Sequence, residues 1–168
     1  MATATATLEL DSAATHETSA LAGKYLTFAL ADEEYGVPVL KVREIMKVLA
    51  ITGVPQAPPH VKGVINLRGK VIPVVDLRLK FGFPSQAYDE RTCIIVVDVV
   101  LRAGRVMMGV VVDAVSEVLT IAANEIEATP DFGEHVNTEF MQGVAKIKGR
   151  VKFLLDLDRI FGGVASLL

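Results

Sequence analysis

Residues 63–82 read GVINLRGKVIPVVDLRLKFG, and residues 143–162 read GVAKIKGRVKFLLDLDRIFG. Laid over each other at an offset of 80 (143 − 63), the two share Gly63/Gly143, Val64/Val144, Gly69/Gly149, Val71/Val151, Asp76/Asp156, Leu77/Leu157, Phe81/Phe161 and Gly82/Gly162. A match at a fixed period means that one supersecondary unit has been used twice. A second match precedes it. GVPV at 36–39 echoes GVVV at 109–112, and Val42-Arg43-Glu44-Ile45 echoes Val115-Ser116-Glu117-Val118, now at an offset of 73 (109 − 36). The second half therefore carries seven extra residues (80 − 73), expected in the polar loop 129–139. The copies diverge where side chains should meet solvent: Asn66-Leu67-Arg68 stands against Lys146-Ile147-Lys148.

Each half reads as four or five short strands with little helix. Residues 25–30 (YLTFAL) are strand-like, Asp32-Glu33-Glu34 supplies a polar turn, and residues 35–39 resume an extended path. Pro38 and Pro73 lack an N–H and point to strand edges or bulges. Val42, Ile45, Met46 and Leu49 fall at i, i+3, i+4 and i+7, which predicts a short helix with Arg43, Glu44 and Lys47 on its polar face. Residues 64–66 and 71–75 read as strands joined through Leu67-Arg68-Gly69-Lys70, with Gly69 free to take positive φ and Arg68 at the hairpin tip. Gly63, Gly69, Gly143 and Gly149 are expected to serve turns and bulges. Asp76 and Asp156, equivalent in the repeat, are expected to cap short helical turns. Residues 92–100 and 106–112 are Val/Ile-rich strands, with Asp98 and Asp113 expected at strand ends. A unit of about 70 residues builds a modest core. Two such units packed together would share a third apolar layer, and small β-units protect their edges by closing into barrels. The expectation is all-β: two small five-stranded barrels forming one body, with a flexible tail over 1–23 and a soft barrel boundary near residues 86 and 87.

Several functional classes find no support. The formal net charge is −3, without the basic stripe that nucleic-acid binding requires. No apolar run approaches the roughly 18 residues of a membrane span. The N-terminal 23 residues lack the basic region and apolar core of a signal peptide. Cys93 is the single cysteine and sits in an apolar run, which reads as a small buried hydrophobe and fits a reducing compartment. His16, His60 and His135 show no metal-ligand spacing. No nucleophile, phosphate loop or dinucleotide fingerprint is present. The sequence names no catalytic residue, metal or cofactor.

What is left is exposed chemistry at one hairpin. An arginine at a turn offers a fixed fork of donors, and Arg68 stands beside Asn66. Glu44 is either a plain surface acid or the acidic part of a docking patch. The ordered motifs DEEYGVPVLKVREI, PPHVKGVINLRG, VIPVVDLRLKFG, GVVVDAVSEVL and TEFMQGV resemble the CheW family of bacterial chemotaxis adaptors over about 140 residues. That resemblance implies two SH3-like five-stranded barrels side by side, and coupling by binding without catalysis. It implies a chemoreceptor cytoplasmic tip and a CheA-type histidine kinase regulatory domain as partners. Contacts with other copies in rings and a cytoplasmic location at membrane-associated receptor arrays are implied too. It places the receptor in a groove between the barrels, lined by Val42, Glu44, Asn66, Arg68, Ile94, Val115 and Val118. It marks no residue for the kinase, and no receptor role passes to the Lys146-Ile147-Lys148 copy.

Two alternatives remain open at this stage. One is the coupling module of a CheV-type protein or of the kinase itself, whose attached domains do not fit in 168 residues. The other is a flavin-binding split barrel, which would need a phosphate-cradling basic cluster.

Overall fold

The structure, a computed structural model, describes residues 20–48, 50–130 and 139–162. Residues 1–19 of the expected tail, with His16, Leu49 of the expected helix, and residues 131–138 of the loop, with His135, lie outside them; order begins before the expected tail ends, since Gly23 opens the first strand. Eleven strands form among the described residues: β1 (Gly23–Leu30), β2 (Glu33–Pro38), β3 (Val42–Lys47), β4 (Val61–Leu67), β5 (Lys70–Asp76), β6 (Cys93–Leu101), β7 (Gly104–Val112), β8 (Ala114–Ile121), β9 (Ile126–Glu127), β10 (Met141–Ile147) and β11 (Arg150–Leu155). They make two curled sheets, ordered β8-β1-β2-β11-β10-β9 and β3-β6-β7-β5-β4. The first sheet is the first barrel here and the second sheet the second barrel.

The duplication explains this order. Under the two offsets, β1 to β5 correspond to β6, β7, β8, β10 and β11, and substituting one set for the other converts the first sheet order, apart from the two-residue β9, into the second. Each repeat thus gives its opening hairpin to one barrel and its remaining strands to the other, three from the first repeat and four from the second. The joint between repeats is a short parallel ladder, made twice. Val74 pairs with Gly109 where β5 meets β7, and Leu154 pairs with Gly36 where β11 meets β2. Both pairings are the same pair of repeat positions. The glycine is closely packed: a Cβ on Gly109 would lie 3.0 Å from Ile94 and 3.3 Å from Val74, and one on Gly36 would lie 3.2 Å from Leu154, so those neighbours would have to shift. Strands do cross the sequence midpoint, and residues 86 and 87 are no boundary between sheets, because β3 to β7 belong to one sheet.

Three apolar layers result. Ile65, Ile72, Val74, Ile94, Val96 and Val111 fill the second barrel. Tyr25, Ile121, Ile126, Ala145 and Leu154 fill the first. Between the barrels lies the largest cluster, which includes Phe28, Leu30, Tyr35, Leu77, Val97, Met108, Ile160 and Phe161. Strand alternation sorts the residues. On β6, Ile94 and Val96 face into the barrel, while Ile95, Val97 and Val99 face the shared layer. Because both faces are buried, β6 and β7 carry long apolar runs, interrupted on β6 only by Asp98.

Helical turns Leu77–Lys80 and Leu157–Phe161 close the repeats, each started by its aspartate. Leu79 N–H donates to Asp76 at 3.3 Å, and Arg159 N–H donates to Asp156 at 3.2 Å. The glycines have distinct duties. Gly69 (φ 84) and Gly149 (φ 77) close hairpins whose preceding residues, Arg68 and Lys148, are also at positive φ. Gly63 and Gly143 are bulge residues, each pressed against a neighbouring backbone. A Cβ on Gly63 would stand 1.9 Å from the Thr52 carbonyl oxygen, and one on Gly143 would stand 3.0 Å from that of Glu127.

Several local expectations need correction. Residues 42–47 are strand, not helix. The i, i+3, i+4 spacing counted Ile45 as buried, whereas it faces solvent on a sheet edge and β-branched Val42 and Ile45 suit a strand. Asp98 lies inside β6, nearly buried, where Arg43 pairs with it from a bulge in β3. Cys93 opens β6 half-buried. Asp32 alone with Ala31 forms the first turn, since Glu33 and Glu34 belong to β2. Both β2 and β5 are inner strands. Pro38 and Pro73 are tolerated because the parallel ladders cover Glu34–Gly36 and Val74–Asp76, beyond which an N–H is not needed.

A buried cation locks one ladder. The Lys152 ammonium on β11 binds the Glu34 carboxylate on β2, and Ser116 donates to the same carboxylate at 3.4 Å. The hydrogen bond from Lys152 holds the Glu34 carboxyl below its ordinary pKa, against the opposing effect of burial. A carboxylate with a lowered folded-state pKa contributes stability above its unfolded pKa and loses it as pH falls through the folded value. Glu34→Gln should therefore cost about 2 kcal/mol at neutral pH, between the values for exposed and fully buried pairs. Its gap to wild type should close in acid as wild-type Glu34 itself becomes neutral. Urea unfolding of both proteins across the acid range checks this, and a gap independent of pH would contradict it.

Candidate functional site

The hairpin between β4 and β5 ends in a two-residue turn, Arg68-Gly69, with both residues at positive φ. Asn66 makes the turn possible: its Oδ1 accepts the Gly69 N–H at 2.9 Å. Arg68 is held outward at a backbone conformation most side chains avoid, and its side chain is 79% exposed. Its Nη2 donates to Glu44 Oε1 at 3.2 Å. Glu44 lies on β3, which is the opposite edge of the same sheet from β4. The pair therefore crosses the seam at which the second barrel closes.

Beside Glu44, Val42 is half-buried and packs on the shared layer. Val115 does the same from β8, its equivalent in the other repeat. Val118 is 56% exposed on β8 and Ile45, its counterpart on β3, is 44% exposed. The structure thus brings together Glu44, Asn66 and Arg68, and sets Val42 and Val115 against one apolar layer from two barrels. Ile94 does not belong to the surface. It is fully buried inside the second barrel, opposite Met46, so it shapes the site only by supporting β3 from behind. Ile45 was missed by the sequence reading, because helical periodicity assigned it to a core. Its equivalence to Val118 was the available signal.

The arrangement is suited to recognition. A half-exposed apolar strip runs along an edge strand, next to a charged fork and a carboxylate. Among the described residues, no group of three or more His, Cys, Asp or Glu could hold a metal ion. Nor is any helix there long and apolar enough to cross a membrane.

Comparison with known proteins places this architecture. Residues 24–164 match the family described as the CheW-like domain. The chain belongs to that family. The chemotaxis protein CheW of Klebsiella aerogenes is 39% identical over 137 residues, which is 82% of this chain and 80% of that protein. CheW of Bacillus subtilis is 31% identical over 143 residues, covering 85% and 89%. The crystal structure of scaffolding protein TtCheW from Thermoanaerobacter tengcongensis aligns with a TM-score of 0.74 at 36% identity, over 83% of this chain and 92% of that one. The family is one of chemotaxis coupling adaptors that scaffold and do not catalyse, and neither alternative reading is favoured.

If the Glu44–Arg68 pair serves partners more than the fold, its contribution to stability is small. A double-mutant cycle with Glu44→Ala and Arg68→Ala should give a coupling of about 0.5 kcal/mol or less, as for other solvent-exposed pairs. Denaturant unfolding measures it. A coupling several times larger would make the pair a structural clasp.

Proposed function

We propose that this chain couples chemoreceptors to a CheA-type histidine kinase by holding both, and that the receptor docks on the face around Glu44 and Arg68. The observation that carries this reading is the exposed fork at the barrel seam, fixed in position by a strained turn yet bound to the rest of the protein through one surface ion pair. A rigid backbone presenting a solvated arginine favours binding geometry over fold stability. Asn66 orients the turn. Val42, Val115 and Val118 supply apolar contact for the face of a receptor helical hairpin, the helix-in-groove mode. Glu44 and Arg68 set register and orientation more than raw affinity.

The kinase regulatory domain, itself of this fold, docks on a barrel end, and further copies of the chain extend head-to-tail contacts into rings. The site of action is the cytoplasmic face of receptor arrays. A single barrel face gives an interface at the low end of the usual area, so individual contacts are weak and the array supplies avidity.

The test is Arg68→Glu in a reconstituted mixture of receptor fragment, kinase and this protein. Stability should stay within about 0.5 kcal/mol of wild type, as expected for an exposed position, while receptor-dependent kinase activation is lost. Full activation by the variant would remove Arg68 from the docking face.

A further inference from the structure

Strand β3 presents its residues through an irregularity. Val42 pairs with Val97 and Glu44 pairs with Val96, so Arg43 is an extra residue, a β-bulge. In a regular strand, residues 42 and 44 would share a face. The bulge parts them. Val42 goes with Val97 to the layer between the barrels, and Glu44 goes with Val96 to the side of the seam, where it meets Arg68. The same bulge sets Arg43 and Glu44, sequence neighbours of opposite charge, on one side of the sheet. Left free, the Arg43 guanidinium would compete with Arg68 for the Glu44 carboxylate.

Arg43 is not left free. Asp98 lies on the same face of β6 as Ile94 and Val96, and its Oδ2 accepts from both Nε and Nη2 of Arg43. The Asp98 side chain is 9% exposed and that of Arg43 52%, so the carboxylate draws a surface cation inward. A carboxylate this deep in a Val/Ile strand is costly unless it is paired.

The other repeat is an internal control. Strand β8 has the same bulge: Val115 pairs with Phe28, Glu117 pairs with Thr27, and Ser116 is the extra residue. There the bulge is stapled through the backbone. The Thr27 hydroxyl donates to the Glu117 carbonyl at 2.9 Å and accepts the Glu117 N–H at 3.2 Å. Val96 takes the place of Thr27 at the β3 bulge and has no hydroxyl to offer. By the same register, Ala29 takes the place of Asp98. Glu117 has no cation beside it in the chain, and its barrel has no acid at this position. The fold therefore does not require Asp98; the presence of Arg43 next to Glu44 does.

We propose that Asp98 is a positioning residue of the receptor-docking face: by holding Arg43 inward, it keeps the Glu44 carboxylate available to Arg68 and to the receptor. The inference rests on the receptor-coupling reading and adds the residue that sets the charge on that face. Only Oε1 of Glu44 is engaged by Arg68, and a carboxylate has acceptor sites on both oxygens. A guanidinium turned onto Glu44 from Arg43 would take those sites and cancel the charge that orients the partner.

The experiment uses the full chain and a purified chemoreceptor cytoplasmic fragment as probe, with affinity measured by calorimetry and unfolding midpoints in parallel. Asp98→Val, which continues the valine run of β6, releases Arg43 and should weaken binding about ten-fold. Adding Arg43→Gln should return affinity to within about two-fold of wild type, because no cation is left to cover Glu44. A merely structural role for the pair predicts no such rescue, and a double variant that binds as weakly as Asp98→Val overturns the proposal. Wild-type binding by Asp98→Val overturns it too. Arg68→Glu runs alongside to separate the two readings. Loss of binding by Arg68→Glu with wild-type binding by Asp98→Val removes Asp98 and leaves the docking face intact. Wild-type binding by both overturns the docking face as well. If Asp98→Val does not fold, Asp98→Asn takes its place, with a smaller loss and the same rescue by Arg43→Gln expected.

Discussion

The apolar layer between the barrels is the constraint on which everything else depends. Phe28, Leu30, Tyr35, Leu77, Met108, Ile160 and Phe161 meet there, contributed by both repeats and both barrels. Phe28 stacks against Tyr35 with ring centroids 6.0 Å apart, and Tyr35 also touches Phe81 and Phe153 at 5.7 Å. Truncating one large side chain in such a layer costs about 3–5 kcal/mol, a large share of the 5–15 kcal/mol typical of a domain. Neither barrel is large enough to be stable on its own interior of five or six buried residues. The exchange of opening hairpins solves this. It makes each barrel a product of both repeats, so the repeats cannot separate without breaking a parallel ladder in each barrel.

A scaffold benefits from this construction. A protein that acts by holding partners in fixed relation must not flex between its docking faces. Here the corners that join the barrels are tied to helical turns by ion pairs, Asp113 with Arg78 and Lys41 with Asp158, and each ladder carries a glycine packed closely against neighbouring side chains. Free groups are correspondingly displaced to the surface, at the Arg68 tip and the β3 and β8 edges. The edges carry interleaved polar residues that discourage strand-to-strand pairing, Arg43, Glu44 and Lys47 along β3 and Ser116 and Glu117 along β8.

Much of this could be read from the residues. Two offsets in the repeat stated that two units exist, and the Val/Ile runs stated that some strands are buried on both faces. What the residues could not state is which hairpin joins which barrel, because exchange preserves every local contact and changes only long-range pairing. The strand at residues 42–47 was misread as helix for a different reason: an exposed Ile45 imitated a buried position. Asp98 was misplaced because its partner, Arg43, sits at a bulge that no pattern announces. Ile94 was carried onto the surface by motif resemblance, and alternation along β6 puts it inside. Arg68, Asn66 and Glu44 were found together because turn chemistry is local and the ordered motifs are specific.

The most direct test of the one-body account is to express residues 24–86 and 87–162 as separate chains and follow each by circular dichroism and sedimentation. The account predicts that neither half forms a folded monomer, and that mixing them restores a one-to-one complex with the spectrum and cooperative unfolding of the intact protein. A half that folds alone as a stable monomer would contradict it.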